Sequence, residues 1–344
     1  MSLRTLQQQI ITLYKSRYKA TPQSITQLQG DASTRRYFRV EYNSLGTIAC
    51  YDPAFVGADP ERYPFLVLQK LLKQHDILVP RTCVYNAALG LLLLEDCGDL
   101  LFQNYVLEVL HTKKYDVLQQ IYQNVVELMV AVQSIKGNEH ELPFNLSFDR
   151  EKLLFEFDFF LQHALRGYFA SEIDAALIPL LRQEFEAITD LLVQPEHFVL
   201  NHRDYHSRNI MVTYDGYFLI DFQDARMGLP QYDAVSMLRD SYVVLPDELV
   251  AAMKEFHYKQ LLEHHLTTMT YYEYCYYFDL MGFQRAIKAL GTFCYQAVVK
   301  QNRSYEQYIA PTLGYIVNYI AERPQELGKA GGLLQPLLEK ALHQ

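Results

Sequence analysis

His202-Arg203-Asp204-Tyr205-His206-Ser207-Arg208-Asn209 is followed shortly by the apolar run Tyr217-Phe218-Leu219-Ile220 and then by Asp221-Phe222. Phosphoryl transfer asks little covalent chemistry of a protein. It asks for a carboxylate to position the attacking hydroxyl and accept its proton, and for oxygen ligands that hold Mg²⁺ on the phosphates. Asp204 lies five residues before Asn209, the spacing of base and metal-binding Asn in a kinase catalytic loop. Asp221 follows a strand-like run, where a second metal carboxylate is required. Oxygen donors of this kind are what Mg²⁺ prefers. A lone Asp is usually solvated surface, and His202 by itself reads as a packed core residue bracing the loop. A zinc site needs further His or Cys ligands at fixed spacing, and none lies nearby. The joint pattern, a carboxylate, an Asn five residues on, an apolar strand and Asp-Phe, is what points to a kinase-type centre.

Upstream, the periodicity predicts a helix over 3–18, then strands near Ile25–Leu28, Tyr37–Tyr42 and Gly46–Tyr51. A helix over Pro64–Gln74 and two strands near Arg81–Asn86 and Leu89–Glu95 follow. This is an N-terminal lobe with an antiparallel sheet and one inserted helix. Glu95-Asp96-Cys97-Gly98 is a polar, Gly-containing break that suits a hinge, with Glu95 and Cys97 placed to meet a nucleotide base. Beyond it helical patterns dominate (105–135, 149–167, 171–194, 247–266, 270–299, 305–322), interrupted by 197–224. The expected fold is α+β and two-lobed, with lobes 1–97 and 98–344. The Tyr-rich run Tyr271–Phe278 is expected to pack in a core, since its side chains fall on several helix faces.

Gln29 to Tyr37 sits between two strands, where a kinase covers its nucleotide. Ser33 and Thr34 hydroxyls and free backbone N–H groups there suit phosphate oxygens. Arg35 and Arg36 either add charge at the phosphates or sit in solvent.

The chain has 344 residues, half of them hydrophobic, and a formal charge of −9. That length favours two units, and the composition is globular. With no Lys/Arg block to neutralise phosphates, nucleic acid is not an expected partner. No run approaches the roughly 18 apolar residues of a spanning helix, and the N-terminus lacks the apolar core of a signal peptide. Five scattered cysteines without a Cys-x-x-Cys pair suit a reducing compartment. A cytoplasmic monomer is expected.

Together these segments resemble the aminoglycoside phosphotransferase-like kinases, and within them the bacterial anomeric kinases of N-acetylmuramate and N-acetylglucosamine. The resemblance rests on Gly30 to Arg39, Asn201 to Asn209, Ile220 to Arg226, Tyr232-Asp233, Leu238 to Asp240, Met281 to Arg285 and Lys288 to Gly291. It implies a protein-kinase-like fold, ATP and Mg²⁺ as cofactors, and an amino-sugar 1-phosphate as product in cell-wall recycling. By motif it makes Asp204 the base and Asn209 and Asp221 the metal ligands. Asp224, Gln284 and Arg285 become candidate sugar contacts, with Arg285 or Arg226 facing a lactyl carboxylate or forming an ion pair within the protein. One departure is plain: a kinase carries a phosphate-binding Lys on its third strand, and Thr47-Ile-Ala-Cys-Tyr-Asp52 has none. A protein kinase is disfavoured, because no activation segment fits between Asp221 and Tyr232. An aminoglycoside or other small-alcohol kinase is the nearest alternative, and an inactive nucleotide-binding scaffold a more distant one.

Overall fold

The structure, a computed structural model, describes residues 3–28 and 34–342. Two compact units make up the chain. The first comprises residues 1–101 and 210–223, the second 102–209 and 224–344.

In the first unit α1 (Leu3–Tyr18) precedes β1 (Ser24–Gln27), β2 (Arg36–Tyr42) and β3 (Leu45–Tyr51). Then come α2 (Pro64–Gln74), β4 (Thr82–Asn86) and β5 (Leu91–Glu95). The strands form one antiparallel sheet in the order β1-β2-β3-β5-β4. Because side chains alternate along a strand, Leu91 and Leu93 of β5 face one way and Leu92 and Leu94 the other. Leu91, Leu93, Phe38, Val40 and Ala49 pack with Leu6, Ile10, Leu13 and Tyr14 of α1. Leu92, Leu94 and Cys50 pack with Phe55 and Tyr63 on the opposite face. β5 is buried on both faces, which is why it reads Leu-Leu-Leu-Leu without alternation. Each such side chain contributes about 1.5–3 kcal/mol by leaving water.

In the second unit come α3 (Phe102–His111), α4 (Tyr115–Gln133), α5 (Arg150–Phe160), α6 (Leu177–Leu192) and β6 (Val199–Asn201). The chain then enters the first unit as a hairpin, β7 (Ile210–Thr213) and β8 (Gly216–Leu219). It returns with β9 (Arg226–Gly228), α7 (Gln231–Leu238), α8 (Asp247–Glu263), α9 (Tyr271–Val298), α10 (Ile309–Glu322) and α11 (Pro324–Leu342). The 28-residue α9 is the axis of the unit and packs against α5, α7 and α10. Its start is fixed by a capping box, Thr270 accepting from the Glu273 N–H while Glu273 accepts from that of Thr270. Tyr274 and Phe278 are buried in the core and Tyr272 is exposed. Among the described residues no helix is long and apolar enough to cross a membrane.

Several elements differ from the expectation. The helix expected over 105–135 is two helices, because Lys113 turns left-handed (φ 54°) and reverses the chain. The pattern over 149–167 begins as α-helix and widens to a π-helix at Leu161–Tyr168. The second unit was expected to run unbroken from residue 98, whereas the hairpin 210–219 groups with the first. There the Val212 N–H donates to the Leu100 carbonyl (2.8 Å) and the Leu219 N–H to that of Leu78 (2.9 Å). α11 was not expected, since its glycines and Pro336 weaken helix propensity. Packing forms it: a Cβ at Gly331 would lie 2.7 Å from Ile320, so α10 and α11 approach closely.

Candidate active site

The loop 202–209 leaves β6, which pairs antiparallel with β9. Asn201 locks that pair by donating to the carbonyls of Val199 (3.1 Å) and Gly228 (3.0 Å). Two buried carboxylates then clamp the loop by its backbone. Asp233 at the start of α7 accepts from the N–H groups of His202 (2.6 Å) and Arg203 (3.0 Å). Asp240 just beyond α7 accepts from the Ser207 N–H (2.9 Å) and hydroxyl (2.5 Å). Arg203 is held at φ 83°, a conformation costly for a side chain of its size and sustained by the Asp233 clamp. Burial pushes the Asp233 carboxyl up to about 7, against the pull of the His202 and Arg203 N–H groups. Tyr205 anchors the middle of the loop on the Val125 carbonyl at 2.6 Å.

Between these clamps Asp204 faces three cations. Lys288 donates to its Oδ1 at 2.7 Å, and Arg285 (3.7 Å) and Arg203 (3.8 Å) flank it. Burial disfavours the Asp204 charge, but Lys288, Arg203 and Arg285 outweigh burial and hold the carboxyl well below the usual range. Burial and Arg285 push the Lys288 amine down to about 8, against Asp204 and Glu156. Glu156 of α5 closes the network: it accepts from Gln284 (2.9 Å) and the Tyr232 hydroxyl (3.2 Å), and that hydroxyl accepts from Arg285 (2.9 Å). Burial opposes the Glu156 charge too, and Lys288 with its neighbouring arginines sustains it. A cavity of about 100 Å³ adjoins Asp204, lined by Lys288, Arg285, Arg239, Ser241, Thr292 and Tyr319 among others.

Asn209 turns its amide N–H onto the Asp204 carbonyl (2.9 Å), which leaves its Oδ1 as the group offered to a cation. In the other unit, Asp221 sits at φ 64° two residues after the end of β8, with its side chain 47% exposed. Its Oδ1 accepts from Gln223 at 2.9 Å and lies 3.5 Å from Arg35 Nη1, which leaves Oδ2 open. Taken singly, the amide oxygen and the exposed carboxylate are each a hard donor of the kind Mg²⁺ takes alongside phosphate and water.

The remaining sequence candidates fall in varied places. Ser33 lies outside the described residues. Thr34 is exposed. Arg35 is bonded to Asp52, while Arg36 stacks over the Tyr51 ring at 5.1 Å. Glu95 ends β5, pairing with Arg81 through backbone (2.8 Å) and side chain (3.1 Å). Burial together with Glu95 and Asp96 pushes the Cys97 thiol up to about 12. Asp224 is half exposed and 3.2 Å from Arg203, and Arg226 lies over the Phe148 ring. Arg285 reaches the cavity beside Asp204. Gln284 is fully buried, and its amide N–H donates to Glu156. Glu156, Lys288, Asp233 and Asp240 were not assigned roles from the sequence, because these partners lie 30 to 128 residues away along the chain.

The model of the phosphotransferase enzyme family matches residues 24–265. The chain belongs to that family, and it is an ATP-dependent phosphotransferase of the kinase type. It is 29% identical over 324 residues to an N-acetylmuramate/N-acetylglucosamine kinase of Neisseria meningitidis, covering 91% of this chain and 90% of that one. A protein of the same name from Pseudomonas aeruginosa is 28% identical, covering 93% and 90%. Among solved structures, a choline kinase from Cryptosporidium parvum superposes with a TM-score of 0.62 at 13% identity, covering 98% of this chain and 99% of that one. The GDP complex of an aminoglycoside 2'-phosphotransferase-IIIa mutant gives 0.58 at 15%, covering 92% and 98%. The fold is that of the protein-kinase-like small-molecule kinases.

Proposed function

We propose that this enzyme, using ATP and Mg²⁺, phosphorylates the anomeric hydroxyl of an N-acetylated amino sugar, N-acetylmuramate or N-acetylglucosamine. The product on this reading is the sugar 1-phosphate, recovered from cell-wall material by a monomer in the cytoplasm. The relatives' printed names support the substrate class. The observation that carries the reading is the placement of Asp204: Lys288, Arg285 and Arg203 surround it, and it shares a cavity wall with Lys288 and Arg285. Two cations on the wall of that cavity, Arg285 and Lys288, suit a sugar bearing a carboxylate.

In this assignment Asp204 orients the acceptor hydroxyl and takes its proton. A carboxyl held so far below its usual range is a weak base, and a weak base serves an acidic acceptor best. A hemiacetal hydroxyl is more acidic than an ordinary sugar alcohol. Proton transfer also comes late where the transition state is loose. Asn209 and Asp221 would hold Mg²⁺, which when bound neutralises charge developing on the β- and γ-phosphates. Arg285 is the candidate partner of a lactyl carboxylate, positioned by Tyr232 and Glu156.

The test is where the phosphate lands. Phosphorus NMR of a reaction with free N-acetylmuramate should show an anomeric phosphate, and the methyl glycoside blocked at C1 should stay unmodified. Rapid turnover of the blocked sugar, or of kanamycin in preference to both sugars, would overturn the assignment.

A further inference from the structure

Protein kinases grip the α/β-phosphates with a Lys on the third strand, aimed by a Glu on the helix that follows. Both partners are missing here. β3 reads Leu-Gly-Thr-Ile-Ala-Cys-Tyr, with no cation. α2 reads Pro-Phe-Leu-Val-Leu-Gln-Lys-Leu-Leu-Lys-Gln, with no acid, and its two lysines are exposed. A charge pair of the same kind nevertheless exists in this unit, assembled from other positions. Arg35, one residue before β2, donates through Nε to Asp52 Oδ2 at 2.7 Å, and Asp52 stands directly after β3. The other end of the same guanidinium, Nη1, lies 3.5 Å from Asp221 Oδ1.

Asp52 is built to hold that cation. It is buried, and its Oδ2 also accepts from the Tyr63 hydroxyl at 2.5 Å while Oδ1 accepts from the Ala54 N–H at 2.8 Å. Its own N–H donates to the Gly90 carbonyl at 2.9 Å. Gly90 is left-handed (φ 66°), and a Cβ there would lie 2.7 Å from the Asp52 carbonyl oxygen, so only glycine permits this approach. Besides Arg35, the Asp52 carboxylate is thus held by a backbone N–H and by Tyr63, the residue just before α2. Among the described residues Arg36 has no such anchor: its guanidinium lies over the Tyr51 ring.

We infer that Arg35, aimed by Asp52 and Tyr63, is the phosphate-gripping cation of this enzyme and replaces the strand-three lysine together with its helix glutamate. The chemistry it would recognise is a nucleoside triphosphate, whose oxygens match a planar guanidinium bidentately. Asp52 and Tyr63 are positioning residues, touching no phosphate themselves. The inference rests on the ATP-dependent reading.

The test measures binding of a fluorescent ATP analogue alongside steady-state kinetics. Wild-type binding is established first; if the wild type bound no nucleotide, the ATP-dependent reading would fall and this inference with it. Given wild-type binding, Arg35→Ala should weaken both the analogue Kd and the KM for ATP by at least about tenfold, the scale of one lost charged hydrogen bond. Arg35→Lys should recover part of that loss. Asp52→Asn should raise the KM for ATP while the KM for the sugar stays constant, a split that general destabilisation does not produce. Tyr63→Phe should give the same split more weakly, and it supplies the reading should Asp52→Asn fail to fold. Unchanged nucleotide Kd in folded Arg35→Ala, or a loss that follows Arg36→Ala instead, overturns the inference.

Discussion

Asp204 and Asp221 are both carboxylates on loops that leave short strands, yet their surroundings differ sharply. Asp204 is 24% exposed and hemmed by three cations, on a loop whose backbone is gripped by Asp233 and Asp240. Asp221 is about half exposed, with Gln223 on one oxygen and Arg35 nearby. A group that must meet a hydroxyl at one angle gains from being fixed before the substrate arrives. A group that offers its charge to a hydrated cation must instead keep an oxygen open, since Mg²⁺ gives up its waters reluctantly. The difference in burial is therefore a difference in task.

The largest effect should come from the open residue. Asp221→Ala should lose Mg²⁺-supported turnover by more than about a thousandfold, because the phosphate charge goes uncompensated. Asn209→Ala should lose less, as a neutral ligand compensates less charge. A Mg²⁺ titration in which Asp221→Ala matched the wild type would erase the contrast. Asp204→Asn should come next, folding and binding nucleotide normally while kcat drops by about 100-fold, the range of a positioned proton acceptor. Near-normal turnover in that variant would remove Asp204 from the chemistry.

The cations around Asp204 sharpen the comparison through pH. Glu156 and Asp204 face Lys288 as anions, Arg285 and Arg203 as cations. As pH rises through about 8, Lys288 loses its proton and its hold on Asp204, so kcat/KM should fall. Lys288→Met should lack that alkaline limb. Its acid limb should also move to higher pH, because removing a cation raises the pKa of the neighbouring carboxyl. Identical pH–rate profiles for the two proteins would exclude Lys288 from the site. The smallest effect on rate belongs to the clamps. Ser207→Ala, which removes one hydroxyl donor from buried Asp240, should cost about 1–3 kcal/mol of stability. Its kcat should change by less than about tenfold. Denaturant unfolding beside initial rates would show whether clamp and base separate in this way.

What the sequence alone determined was whatever lies within a few residues of itself. The spacing of Asp204 and Asn209 depends on one continuous loop, and Asp221 on its place directly after an apolar strand. α1, the five-stranded sheet and α9 were legible for the same reason: periodicity and alternation are properties of contiguous residues. Tertiary structure decided everything that depends on distant partners. Lys288 meets Asp204 across 84 residues, Gln284 meets Glu156 across 128, and Arg35 reaches Asp221 across 186. No periodicity encodes such pairs, because an ion pair leaves no signature in the residues that flank it. Which charges face inward is set by the burial of the elements that carry them, and that burial is a property of the whole chain.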